Sequence, residues 1–532
     1  MTAKDDSGSN LGMSVISKGA FIIALFSIIS RLFGLLRDRL LSSTFGAGDI
    51  LDAYYAAFRL PDFIFNVLVL GGLASAFIPV IIESRTKGGE AESWRVTNTV
   101  FNTLVVMLMI LSLVGIFFAS TLIPLITPGF SSEKLKLTVD LSRIMLAAIV
   151  FFGASNVFSS VLNSYKRFFS PSLAPVMYNL GIILGILVLV PQFGLIGLAW
   201  GVLIGSIIHM LVQIKAVVSS GWRPAFVWEW SNAYVKKIVR LVLPRTFGLA
   251  IYSFNQLVMT YFASNLVAGS LAAYSLAVNL QNFPINVFGV SLAIAAFPLL
   301  SEAWSENNHD KLSSHFENSF KRILFFVIPL GVFFLILRAQ IIRLILGAGA
   351  FDWNDTIRTA NVFGLLAISL IAESLLPLVA RTFYALQDTK TPVLVSTLTL
   401  FINTALAFPL TKYYGLMGLT VSFVVAAILN FIILITFLGS RLHNLKVADL
   451  IRSISKITLS AILAGSICYT MLHLVAPHVD MQTFVGVFIQ GFSAGLMGLL
   501  TYIVVTLFLK VEEVSFVLNW SRVLWGKIKL WT

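Results

Sequence analysis

Charge is what this chain has least of. Only 11% of its 532 residues are Asp, Glu, Lys or Arg, against roughly 25% in an ordinary soluble domain. With 58% hydrophobic residues and a mean hydropathy of +0.91, that scarcity excludes an ordinary soluble fold. Cysteine is almost missing. The single Cys468 rules out a disulfide framework and a cysteine metal site, and its apolar neighbours give it a packing role. The six histidines show no HExxH or other metal-ligand spacing, and no glycine-rich loop follows a strand to cradle a phosphate. GAGD at Gly46 and GAGAF at Gly347 read as turns. Carboxylates are outnumbered, 24 against 37 Lys and Arg, for a net charge of +13. That surplus could suggest a nucleic-acid partner. The cations, however, sit in loops of one side, where the positive-inside rule puts them, so no nucleic acid is expected.

What the chain does have is one long apolar run after another, such as LVVMLMILSLVGIFFA. In lipid every backbone N–H and C=O must be satisfied within its own span, so continuous runs of about 20 apolar residues are helices. Barrel strands would alternate, and these runs do not. The expected fold class is therefore an all-α integral membrane protein with about fourteen spans between residues 19 and 509. Residues 1–17 are polar and mixed in charge and read as a disordered cytoplasmic leader, with no cleavable signal peptide. Arg85, Lys87, Lys166, Arg167, Lys321, Arg322, Lys446 and Lys456 fall in inner loops, which places both termini in the cytoplasm. The end of the chain, 513–532, contains WSRVLWGKIKLW and reads as an amphipathic helix lying on the inner surface.

An internal repeat organises the chain. LNSYKRFFSPSLAPVMYN from Leu162 aligns without a gap on FYALQDTKTPVLVSTLTL from Phe383, setting Pro171 on Pro392 and GLIGL at Gly194 on GLMGL at Gly415. LASAFIPVIIES from Leu73 matches LAIAAFPLLSEA from Leu292, and TPGF at Thr127 matches GAGAF at Gly347. The shared offset, about 220 residues, implies a six-helix lobe over 18–219 and another over 220–440, followed by two extra helices over 441–512. Six spans is an even number, so the halves have the same orientation, as in parallel transporter repeats.

Charges inside spans cost roughly 2.5–3.5 kcal/mol each by insertion scales, so they mark function or pairing. In FIIALFSIISRLFGLLRDRLL, Arg31 falls near mid-span, and Arg31, Gly34, Arg37 and Asp38 share one arc of the helix. A stripe of arginines offers planar donor forks that suit phosphate oxygens. A purely local Arg37–Asp38 contact at the membrane surface remains the plainer reading of that pair. Next comes GAGDILDAYYAAFRLPDFIFN, with Asp52 at an N-cap-like position, Arg59 and Asp62 spaced to pair, Pro61 placed to kink the helix, and Asn66 beyond it. Asn255 and Gln256 in the seventh span, and Asn279, Asn282 and Asn286 around Pro284 in the eighth, supply amides that suit a polar cavity wall or helix–helix packing.

Taken together, SRLFGLLRD, FGAGDILDAYYAAFRLPD, LASAFIPV, TPGF, LNSYKRFFSPSLAPVMYN, FASNLVAGS and FYALQDTKTPV resemble the MurJ/MviN family of the multidrug/oligosaccharidyl-lipid/polysaccharide exporter superfamily, from about residue 18 to 440. The resemblance implies a lipid II flippase rather than an enzyme, working by alternating access in the bacterial plasma membrane. It implies a cationic cavity lined by spans one, two, seven and eight, and a groove on the last two spans for the undecaprenyl tail. The substrate-facing residues it implies are Arg31, Arg37, Asp38, Asp52, Arg59, Asn66, Asn255, Gln256, Asn279 and Asn282. Two positions depart from the family pattern: Phe65 and Asn279 stand where relatives carry cavity arginines. No cofactor is expected, and with no ATPase domain in the sequence the energy is expected from an ion gradient or the membrane potential. The expected partners are a lipid-linked glycan, membrane lipids and the wall-synthesis machinery, with the chain itself a monomer. Alternatives from the residues alone are a paralogous exporter of another lipid-linked glycan, a drug/cation antiporter, which would want an acidic cavity, and a non-transporting membrane scaffold.

Overall fold

The computed structural model describes residues 7–70, 73–442 and 445–514, and every regular element among them is helical. The expected surface helix at 513–532 lies almost wholly outside the described residues. By packing, the chain forms two compact units, Met1–Ala272 and Ala273–Thr532.

Unit 1 opens with α1 (Ser7–Phe45), which begins inside the stretch expected to be a disordered leader. It continues with α2 (Asp49–Ala57), α3 (Arg59–Phe65) and a π-helical turn at Asn66–Leu70. Then come α4 (Leu73–Ile126), α5 (Ser132–Ser164), α6 (Phe169–Leu184), α7 (Val190–Phe193), α8 (Gly197–Val218) and α9 (Ala233–Ser264). The next helix, α10 (Ser270–Pro284), starts at the division and leads into unit 2. There a π-helical turn at Ile285–Val290 precedes α11 (Ser291–Ser305), α12 (His309–Ile336), α13 (Arg338–Ile345) and α14 (Trp353–Ala385). The unit ends with α15 (Lys390–Gly439), α16 (Val447–Val475) and α17 (Phe484–Phe508).

Among the described residues nine helical stretches are long and apolar enough to cross a membrane. Three of them, Ala76–Ile126, Phe169–Val218 and Lys390–Gly439, have 50 or 51 residues, over twice the ~20 a crossing needs. Each is broken at a glycine with positive φ: Gly89, Gly194 and Gly415. This is a multi-pass membrane protein.

The repeat is written in backbone conformation as well as in sequence. Gly194 (φ 68°) and Gly415 (φ 56°) occupy matching positions in GLIGL and GLMGL, a region that costs an L side chain about 1–2 kcal/mol. Three residues on, a Cβ at Gly197 would lie 2.5 Å from the Leu189 carbonyl carbon, and one at Gly418 would lie 1.9 Å from the Leu410 carbonyl oxygen. The first glycine of each motif turns the chain and the second lets the two arms touch. Lys166 (φ 58°) and Gln387 (φ 60°) match in the same way, and after each the next N–H donates five residues back, Arg167 to Leu162 and Asp388 to Phe383. The π-helical turns at Asn66–Leu70 and Ile285–Val290 also match.

Packing divides the chain one span later than the repeat does. The reason is α9, which packs on α3, α4 and the first π turn and so joins unit 1. Within unit 1, α6 and α8 meet through glycines at four-residue spacing, and a Cβ on Gly181 would lie 2.2 Å from the Gly205 Cα. In unit 2 the two extra helices pack on the repeat body: α16 lies against α12, α17 against α13, and the Tyr502 hydroxyl donates to the Phe325 carbonyl at 2.7 Å. Cys468 is fully buried beside Leu337, Leu472 and Ala494, as its apolar run required.

Candidate functional site

Two faces of α1 carry opposite chemistry. Phe21, Leu25, Ile28, Leu32 and Leu36 are exposed large apolar residues at helical spacing. That stripe is what lipid requires, and Arg31, Gly34, Arg37 and Asp38 fall roughly on the other side of the helix. Arg31 is half-buried. Arg37 is held: its Nε and Nη2 donate to Asp38 Oδ1 at 2.9 and 2.7 Å, and its Nη1 donates to Asn179 Oδ1 at 3.1 Å. The Asn179 amide in turn donates to the carbonyls of Ser30 (3.2 Å) and Pro175 (3.1 Å). The Arg37–Asp38 contact is therefore more than local, because it ties α1 to α6. With most of its donor fork engaged and 22% of its side chain exposed, Arg37 acts as a brace beside the stripe.

The helix after Asp52 breaks where the sequence requires. Pro61 has no N–H for the Ala57 carbonyl, and the helix divides at Phe58 into α2 and α3. Asp62 is exposed and Arg59 half-buried. A carboxylate exposed inside a span faces water, since lipid would charge it several kcal/mol. Electrostatic coupling links Arg59 with Asp62 and Tyr55, and Arg37 with Tyr54, Tyr55 and Tyr178. Tyr54, Tyr55, Tyr178 and Asn179 are the members of this cluster that motif reading missed. The pairing of YY with the charges two and four residues away was the available signal. Phe65 packs its ring on Phe152 (5.7 Å between centroids), which also meets Tyr178 at 4.8 Å. Asn66 donates from Nδ2 to Ser253 Oγ of α9 at 3.2 Å.

Asp52 is placed otherwise than expected. The N-cap of α2 is Gly48, and Asp52 caps the start of α10 instead. Its Oδ1 accepts the Ala272 N–H at 2.7 Å, and its Oδ2 accepts the Gly269 N–H at 2.8 Å and Lys134 Nζ at 2.6 Å. The Lys134 and Asp52 side chains are only 9% and 3% exposed. A buried carboxylate holding three donors is a joint between elements, with three of its about four lone pairs already used. Lys134 also reaches Asp49 and lies 4.1 Å over the Phe130 ring of TPGF. At the opposite end of unit 1, Glu83 accepts from Lys237 (2.6 Å) and Lys87 (3.0 Å), and Asn232 donates to Glu92 (2.7 Å). These bonds clasp α4 to the start of α9.

The amides of α9, α10 and the π turn after it separate by role. Gln281 is buried in unit 2, donating to the Leu366 carbonyl and Ser369 Oγ, so it is packing glue. Asn279 and Asn282 are half-buried, and the Asn282 carbonyl accepts from the Asn286 side chain at 2.7 Å. Asn255 and Gln256 in α9 are half-buried, and Gln256 donates to the Tyr252 hydroxyl at 3.1 Å. Among the described residues there is no cluster of three His, Cys, Asp or Glu that could hold a metal.

The profile of the family described as "Lipid II flippase MurJ" matches residues 41–489. The chain belongs to the MurJ family. A relative from Bdellovibrio bacteriovorus, named "Probable lipid II flippase MurJ", is 30% identical over 452 residues, 84% of this chain and 86% of its own. The "Lipid II flippase MurJ" of Burkholderia cenocepacia is 28% identical, with 78% and 82% covered. A solved structure titled "Lipid II flippase MurJ, inward closed conformation" superposes with a TM-score of 0.77 at 25% identity, covering 92% of this chain and 99% of that one. An inward-facing multidrug resistance MATE transporter of the MOP superfamily shares the fold alone, with a TM-score of 0.65 at 16% identity and 80% and 99% covered.

Proposed function

We infer that this chain is a flippase that carries a polyprenyl-diphosphate-linked peptidoglycan precursor, lipid II, across the bacterial plasma membrane by alternating access. It is a transporter and not an enzyme. The observation that carries this reading is the family match across residues 41–489, continued by a fold match over 92% of the chain to a structure titled as a lipid II flippase. The wet stripe of α1 supports it. Arg31 is the diphosphate contact, Arg37 and Asp38 hold the wall beside it, and Asn66, Arg59, Asn255 and Gln256 complete the polar lining of unit 1.

The exposed apolar faces of α16 and α17, with Phe484, Phe488 and Phe492 in a stacked row (6.3 and 5.4 Å between centroids), receive the polyprenyl tail. Movement draws on an ion gradient or the membrane potential. Both termini are cytoplasmic, and the chain works as a monomer beside the wall-synthesis enzymes. The test is rescue: expression in a bacterium depleted of its own lipid II flippase should restore growth. Proteoliposomes of the purified chain should expose fluorescent lipid II to an impermeant quencher faster than empty vesicles. No rescue from a correctly inserted protein, together with no flipping, would overturn the reading.

A further inference from the structure

On the face of unit 2 that carries the inner-loop cations, the start of α12, the start of α16 and the end of α17 enclose a polar cavity of about 340 Å³. Five cations line it: Lys321 of α12, Lys446, Arg452 and Lys456 at the head of α16, and Lys510 just beyond α17. The positive-inside rule explains why cations lie on this side. It does not explain why five from three helices converge on one concavity, where they repel one another. Three carboxylates, Glu317, Asp449 and Glu512, share the lining, so five cations against three anions leave the cavity with a net positive charge. Among the described residues none of the five is in an ion pair, and the buried Glu317 spends its Oε1 on the Lys446 backbone N–H at 2.6 Å. The surroundings are apolar: Ile451 and Leu459 of α16 and Leu507 and Phe508 of α17 are all exposed. Basic cavities between membrane helices on such a face suit anionic head groups.

We propose that this cavity binds the phosphate of an anionic lipid, whose chains lie against Ile451, Leu459, Leu507 and Phe508 beside it. The cations supply charge-assisted donors, and the exposed side chains give the acyl chains a surface that a soluble anion would not use. The site lies in unit 2 alone, at the end of α17 away from the Phe484, Phe488 and Phe492 row that the transport reading gives to the polyprenyl tail.

The full-length protein in detergent is titrated with phosphatidylglycerol and with phosphatidylcholine of the same chains, and bound lipid is counted by native mass spectrometry. Phosphatidylglycerol should be retained at about tenfold lower concentration. The triple variant Lys446→Gln, Arg452→Gln, Lys456→Gln should lose that preference, and Lys215→Gln, an exposed lysine elsewhere in the chain, should keep it. Should the triple variant fail to fold, Lys456→Gln alone should reduce the preference by several-fold. Competition with millimolar pyrophosphate distinguishes the sources. Displacement of the lipid would show that a free phosphate suffices and would overturn the lipid assignment, and persistence of the lipid supports it. Equal retention of the two lipids, or an unchanged preference in the triple variant, overturns the proposal.

Discussion

Arg31 and Arg37 sit six residues apart on one helix, and the structure ties Arg37 to α6 through Asn179. Arg37 has Asp38 and Asn179 on its guanidinium, so its removal takes a charged donor from a buried carboxylate and from the Asn179 Oδ1. Arg31 is the residue proposed to touch the diphosphate, and lysine tests that role. Lysine keeps the charge and loses the planar fork. Arg31→Lys and Arg31→Ala should both insert at normal levels, because removing an intramembrane charge favours insertion, and both should flip poorly. Wild-type growth or flipping in Arg31→Ala, made at normal levels, would remove Arg31 from the site. Phe65 makes a second test. Phe65→Arg loses the ring contact with Phe152, an interaction of about 0.5–1.5 kcal/mol, so Tm should fall by a few degrees, and Phe65→Tyr should fall less. An unchanged Tm in Phe65→Arg would mean the position can take an arginine without loss of packing.

Single elements hold two further expectations. In the GLIGL and GLMGL hairpins the two glycines do different things, so alanine should affect them unequally. Gly415→Ala meets no atom within 4 Å and only strains φ, a cost of about 1–2 kcal/mol. Gly418→Ala puts a methyl against the Leu410 carbonyl and must separate the arms of α15. Gly418→Ala should therefore lose far more folded protein in detergent than Gly415→Ala, and equal yields would contradict the hairpin geometry. The clasp between α4 and α9 turns on Glu83, whose carboxyl is held below the usual range by hydrogen bonds from Lys237 and then Lys87. A depressed carboxylate contributes above its unfolded value, near 4.3, and that contribution is lost as pH falls through the lower folded value. The clasp should be intact at pH 7 and at pH 5 and loosen only in strong acid. Glu83→Gln should loosen it at neutral pH, seen as faster hydrogen exchange in the first turns of α9. Unchanged exchange there would show that Glu83 holds nothing.

At the scale of the whole molecule, orientation is the open test. Cysteines placed near Arg85, Lys166 and Lys446 should be shielded from impermeant thiol reagents in intact cells, and those near Ser131 and Asp355 should react. The native Cys468 is fully buried and adds no background. The reverse labelling pattern would turn the protein over and would move the basic cavity of unit 2 to the outer leaflet.

Composition and periodicity alone determined that this is a helical multi-pass membrane protein built on a repeat. Lipid imposes one rule on every residue of a span, so apolar run length suffices, and turn glycines recur because only they take the conformation the hairpins need. The Pro61 break and the packing of Cys468 were legible for the same local reasons. Tertiary structure decided what sequence spacing could not reach. Asp52 looked like the cap of its own helix and caps α10, because its partners at Gly269 and Ala272 lie over 200 residues away in the chain. Arg37 became a brace only when α6 brought Asn179 beside it, and α9 joined unit 1 because its contacts on α3 and α4 outweigh its place in the repeat. The five cations of unit 2 read as scattered loop charges until three helix ends drew them around one cavity. Charge and polarity are local properties, but which polar groups meet depends on how helices cross.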